Sequence, residues 1–268
     1  MIRHLKGTVL WFVFLFAASQ VSASPPISIR VGVYSFPPVA MVDQNNKATG
    51  LLGDLLAELE KQHSNLSFQV IHTSPKRRQM DFNSGLFDVM FFEHPSWSWE
   101  QAIIRTSAPI LQVEEVYVAL NKDDRDQSFF ENLSERQIVA IAGYHYGFAN
   151  QETDSGGLQE QFNIELSHSH QRNMDLIRAD RPSIAEVAVV NRSFLRAYFL
   201  RFPDQRNDFL ISEKADQSYE LGVITRKDGP VSVQTIEDLL GPLIESGFYQ
   251  SLVEKYGLTL PGRLRPSP

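Results

Sequence analysis

Residues 27–62, ISIRVGVYSFPPVAMVDQNNKATGLLGDLLAELEKQ, decide the fold. Ile27, Ile29, Val31 and Val33 alternate with polar or small residues, the period of a strand with one buried face. Pro37 and Pro38 end it, because proline has no N–H to give to a ladder. A polar turn, Asp43 to Lys47, leads into a segment where Leu51, Leu55 and Leu59, beside Leu52 and Leu56, form one helical stripe closing at Lys61 and His63. Strand, aromatic-proline turn and helix in this order build a ledge at the carboxyl edge of a sheet, where open α/β folds bind small molecules.

The same grammar continues outward. Leu66 to His72 reads as a strand, Lys76 to Asn83 as a short helix and Phe87 to Phe92 as a buried strand, so the order β, α, β, α, β predicts a mostly parallel sheet. A tryptophan-rich loop and a β-branched segment, Ile110 to Leu120, follow. After the charged turn Asp123 to Asp126 the pattern restarts: strand Ile138 to Ala142 ending in Gly143, a polar mobile loop over Gln151 to Gly157, helix Arg172 to Ala179, strand Ala185 to Val190 and helix Ser193 to Leu200. Glu220 to Thr225 reads as a late strand. Gln234 to Tyr256 is helical in pattern, with breaks predicted at Gly241-Pro242 and Ser246-Gly247, and the tail from Pro261 to Pro268 reads as frayed.

The amino terminus carries Arg3 and Lys6, an apolar run from Thr8 to Ala18 and a small-x-small site, Val21-Ser22-Ala23. That is the layout of a secretory signal peptide, residues 1–23, cleaved after Ala23, and too short for a spanning helix. The chain has no cysteine, so neither disulfides nor a lipidated cysteine is available, and an untethered, exported monomer stabilised by an ordinary core is expected in the bacterial periplasm. Removing residues 1–23 leaves 23 basic against 32 acidic residues, a net −9, which disfavours nucleic acid and anionic membranes as partners.

RVGVYSFPPVAMVD with its following helix, SGLFDVMFF, FFENLSERQIVAIAGYHYG, AEVAVVNRSF and the ending ELGVITRKDG with IESGFYQSLVEKYG resemble, in order, the periplasmic solute-binding proteins of the polar amino-acid transport type. The resemblance implies a type II periplasmic binding protein fold: two α/β lobes with mixed sheets, joined by two hinge strands. The first lobe would be residues 24–110 with 218–268, the second 111–217. A small solute would be captured between them and delivered to the permease of an ABC-type transporter.

Phe36, directly after the first strand, matches the family's aromatic wall for the ligand; the alternative is packing within its own loop. Arg77 in PKRRQMDFNSGLFD matches an arginine pointing into the cleft, where its fork would take a carboxylate; a solvated basic turn with Lys76 and Arg78 is the alternative. The family's carboxylate-clamping arginine is replaced by Glu100, and its ammonium-binding aspartate by Asn191, so the usual amino-acid ligand does not carry over. Glu93, His94 and Trp97 from the first lobe, with Tyr144 and Tyr146 after Gly143, are the candidate replacements, a lining suited to a flat ligand or a cation held over ring faces. Trp97 and Trp99 could equally pack their own loop.

His168 and His170 form a His-x-His pair in a polar segment, read as a surface strand; neither metal nor cofactor is expected. A sensing or accessory protein on the same fold is the alternative to transport. A dehydratase-like enzyme using Glu93 and His94 is a weaker one, since adjacent residues on an extended segment point to opposite faces.

Overall fold

The computed structural model describes residues 27–265; the expected export signal lies outside them. The first half contains β1 (Ile27–Val33), β2 (Met41–Val42), β3 (Ala48–Thr49), α1 (Gly50–Gln62), β4 (Leu66–His72), α2 (Arg78–Asn83), β5 (Val89–Glu93) and β6 (Ile104–Thr106). The chain continues through β7 (Leu111–Leu120), β8 (Ile138–Ile141), α3 (Ser155–Gln161), β9 (Ile164–Ser167), α4 (His170–Arg178), β10 (Val187–Asn191), α5 (Arg192–Arg201) and β11 (Phe209–Ile211). It then returns by β12 (Gln217–Arg226) to α6 (Val233–Glu245) and α7 (Phe248–Lys255).

The strands join in the order β4-β1-β5-β12-β7-β10-β8-β9, with β6 on β12 and β11 on β7. β1 is parallel to β4 and β5, and β8 to β9 and β10, as crossover helices require. Two long antiparallel strands link these parallel sets. The first half of β12 pairs with the start of β7, whereas its second half pairs with β5; β7 in turn passes on to β10. Glu115 sits at that change of partner, opposite Gln217 on one side and Asn191 on the other.

The leucine stripe of α1 is buried as its spacing predicts, and on its opposite face Asp54 holds Lys255 of α7 at 2.6 Å. A second buried cluster packs Met174, Ile177, Leu195 and Phe199 against Val116, Val118 and Val190 of the sheet.

Four local expectations change. The helix runs through Gly241-Pro242 and breaks only at Ser246-Gly247. Pro242 and Asp238, whose carbonyl loses its partner, are both exposed, on the side of the helix that faces water. Ser155–Gln161, half inside the segment read as a loop, is helical because Asp154 caps it (Gly157 N to Oδ2, 2.9 Å) and Leu158 is buried. β9 ends at Ser167 and His170 opens α4 in the interior, so the two histidines do not share a surface strand. Pro261 to Arg265 is docked, with Arg263 Nε donating to Pro109 O at 2.9 Å and Arg265 to Gln112 at 2.6 Å.

Among the described residues no helix is long and apolar enough to cross a membrane, and no group of three or more His, Asp or Glu is placed to hold a metal ion.

Candidate functional site

The carboxyl ends of β1 and β5 and the loop after β8 bring aromatic side chains together. Tyr34 and Phe36 form one wall; Tyr144 meets Phe36 edge-on at 6.0 Å, and its hydroxyl donates to Ser35 O at 3.1 Å. Trp97 stacks on His145 at 5.8 Å and 11°, and meets Tyr219 of β12 edge-on at 4.9 Å. These rings, with Arg78, Val113, Glu115 and Gly143, enclose a cavity of about 20 Å³, room for a single water. Arg78, Gly143 and His145 also line an outer groove of about 290 Å³ beside Lys76, Gln79, Glu152 and Asp154.

Arg78, not Arg77, is the arginine of this cleft. Arg77 is mostly exposed and pairs with Asp81 at 3.2 Å one turn on, because position 77 precedes α2 on its solvent side. The Arg78 side chain is 2% exposed and its guanidinium lies 5.6 Å from the Tyr34 ring. Its nitrogens are spent within the protein: Nε on Glu93 at 3.1 Å, the others on the carbonyls of Pro75 and Trp97. Glu93 Oε2 also accepts from Trp99 Nε1 at 2.8 Å. Burial outweighs the pull of Arg78 and raises the Glu93 carboxyl above the usual range.

His94 turns away from Glu93, its Nδ1 2.6 Å from Ser96 Oγ, and its ring lies 6.1 Å from those of Trp97 and Tyr219. Tyr146 and Asn191 face the interior and do not line the cavity. The Tyr146 hydroxyl accepts from Ile141 N at 2.7 Å, and Asn191 Oδ1 caps α5 through Ser193 N at 2.9 Å. The strand-end position that resembles the family's aspartate is thus occupied by a helix cap.

Glu115, His145 and Tyr219 also line the cleft and escape the sequence reading. Glu115 had a signal: it continues the inward phase of Leu111 and Val113, where a charge is out of place. It is 3% exposed, and the only hydrogen bond to its carboxyl group among the described residues comes from Gln217 Nε2 at 3.3 Å, with no salt bridge. Burial first, and the charge of Asp216 second, hold its carboxyl well above the usual range. His145 is pushed down to about 4 by burial and then by Arg78 and His94.

The loop from Gly143 to Phe148 is fixed from behind. Asp216, at the foot of β12, accepts from Gly147 N at 2.7 Å, Phe148 N at 2.8 Å and the Tyr117 hydroxyl at 2.5 Å. Gly147 runs so close to Asp216 that a Cβ would come within 2.7 Å of its carbonyl. Tyr219 donates to His145 O at 2.6 Å from the cleft side.

The sequence model of the bacterial extracellular solute-binding proteins, family 3, matches residues 29–259. The chain belongs to this family. Among curated proteins none matches it significantly. A solved structure of a mutant ArgBP from T. maritima is similar at 19% identity over 86% of this chain and 95% of that one, with a TM-score of 0.65. A substrate-binding protein of an ABC uptake transporter from Streptococcus pneumoniae, with bound histidine, is similar at 15% over 85% and 92%, TM-score 0.66. A histidine kinase sensor domain with similarity to periplasmic binding proteins is similar at 18% over 88% and 99%, TM-score 0.67. This family 3 protein therefore has the type II periplasmic binding protein fold.

Behind the cleft of this solute-binding protein, His170 lies between Tyr144 (6.0 Å) and Phe194 (5.1 Å), and neither ring nitrogen has a hydrogen-bond partner among the described residues. Burial depresses it from 6.5 to about 4. A depressed histidine leaves stability intact at neutral pH and withdraws it as pH falls from its unfolded value towards 4. His170→Phe should therefore resist acid: between pH 7 and 4.5 the unchanged protein should lose about 2 kcal/mol relative to the variant, measured as urea midpoints. Parallel pH profiles would show that His170 stays neutral for another reason.

Proposed function

We propose that this chain is a periplasmic binding protein that captures a small amine-bearing solute, an amino acid or a derivative with an apolar or flat body, and hands it to an ABC-type permease. One observation carries the reading: the Glu115 carboxyl, buried among ring faces where β7 pairs with β12, has no cationic partner among the described residues. A protonated amine satisfies it both by charge and by cation–π contact. Arg78 is engaged by Glu93 and shapes the pocket rather than offering a free fork to a carboxylate.

Residues 24–110 with 218–268 would move against 111–217 about β7 and β12. The 20 Å³ cavity is smaller than any amino acid, so entry requires that movement, and contacts made only on re-closure supply its energy. The bound histidine and the ArgBP name of the similar structures are compatible with a cationic solute.

A melting-shift screen of amino acids, aromatic amines and polyamines tests this. Solute at a hundred times its dissociation constant should add about 2.7 kcal/mol of stability. Glu115→Gln should abolish that shift while leaving the unliganded protein as stable or more so, because a carboxyl whose ionised form burial opposes is gone. The raised carboxyl makes the sign explicit: its stability is complete below the unfolded value near 4.5 and lost as pH rises through the folded one, so the variant should gain most at neutral pH and above. An undiminished shift in Glu115→Gln would remove Glu115 from the site.

Ligand-gated sensing is a second reading, favoured by the stacked rings and hydrogen bonds that already join the two walls. Recovery of permease subunits alone in a pull-down would sink it. Glu93 and His94 bond to different partners, which gives a dehydratase-like reaction no paired acid and base.

A further inference from the structure

A larger cavity, about 710 Å³, lies outside the cleft, on the other side of the loop that carries Tyr144 and His145. Four rings, Tyr117, Phe130, Phe148 and Phe162, form part of its walls. Tyr117 of β7 stacks on Phe130 at 5.9 Å and 26°, and Phe148 meets Phe162 edge-on at 5.0 Å. Phe148, Phe162 and Tyr117 are only partly covered, so their faces are available to an occupant. Three carboxylates, Glu131, Glu213 and Asp216, line it against the single ammonium of Lys214.

We infer that this hinge-side cavity is a second binding site, for a small aromatic amine, and that its occupancy steadies the cleft wall. Its volume is that of a pocket for a drug-sized molecule, and aromatic faces under an excess of negative charge select a flat cation over a neutral or anionic ring. The coupling is structural. Asp216 lines the cavity, stands at the foot of β12, and holds the Gly147 and Phe148 amides of the loop whose other face closes the cleft. An occupant packed on Phe148 favours the arrangement in which those two hydrogen bonds are made. By reciprocity, whatever favours that arrangement from the cleft favours occupancy of the cavity.

Tryptamine is a suitable probe, tested in the Glu115→Gln background so that cleft binding does not contribute. Calorimetric titration should show one site, and amide exchange at Gly147 and Phe148 should slow at least threefold at saturation. Adding Glu131→Lys and Glu213→Lys, both at exposed positions, should weaken binding at least tenfold and cancel the exchange effect without changing the melting temperature. Indole-3-acetate, the anionic counterpart, should bind at least tenfold more weakly than tryptamine. The inference is overturned if tryptamine binds only when Glu115 is intact, if the lysine substitutions leave its affinity unchanged, or if the two amides exchange at the same rate with and without it.

Discussion

Arg78→Met is expected to destabilise the protein by about 3–5 kcal/mol, the usual consequence of removing one partner from a buried ion pair. Arg78 and Glu93 are 2% and 0% exposed, so the carboxylate left behind reaches no water. Its remaining support would be Trp99 at 2.8 Å on Oε2, while Oε1 already has no partner among the described residues. The double variant Arg78→Met with Glu93→Gln should recover most of the loss, because the orphaned charge rather than the lost attraction dominates the cost. The single variant should also be less impaired in acid. A carboxyl held above its unfolded value gains its proton in the folded state first, so the deficit shrinks as pH falls towards 4.5 and widens above it. Urea unfolding of the three proteins at pH 5 and 8 checks this; a double variant no more stable than the single would show that packing of the arginine stem, not charge, is what matters.

Gly143→Ala should keep the two lobes apart. Gly143 has φ of +79°, where a side chain costs about 1–2 kcal/mol, and its Cβ would lie 2.8 Å from Lys76 Cγ, 3.1 Å from Lys76 N and 3.2 Å from Pro75 Cβ. The lysine stem can swing aside, but the backbone nitrogen and the proline ring belong to the opposing wall and yield only if that wall retreats. With it would go the bonds from Tyr144 to Ser35 and from Lys76 to Ser155. Small-angle scattering should record a larger radius of gyration, and solute affinity should fall by about tenfold or more, since each 1.4 kcal/mol of closure is a factor of ten. Scattering and affinity both unchanged would mean that closure does not bring Gly143 against Lys76.

The sequence was most legible where one periodicity had one cause. The alternation from Ile27 to Val33 and the α1 stripe each reflect a single buried face, and both carried through to the structure. It was least legible where two causes compete at one residue. Arg77 and Arg78 are equivalent by composition, and only the rotation of a six-residue helix decides which is buried. Tyr146, chosen alongside Tyr144, is turned inward because its hydroxyl caps the end of β8. Asn191 read as an altered ligand contact, but a strand end that opens a helix also needs a cap, and that need claims the side chain. Glu115 was readable in principle: its phase within β7 places a carboxylate on the buried side. Seeing that this phase points into a cleft needed β12 and β10 on either side of it, and pairing between strands so far apart in the chain leaves no local trace.

If the cleft takes a solute as proposed, the side chains that fill it act as a built-in competitor. Any incoming molecule must displace the stack of Trp97 on His145 and the contact of Tyr144 with Phe36 before it touches Glu115. If the lobes are shut about 99% of the time, the apparent dissociation constant is about a hundredfold weaker than that of the open form. Softening the competitor, by trimming a ring that Glu115 does not need, is therefore a route to tighter binding that adds no contact to the solute at all.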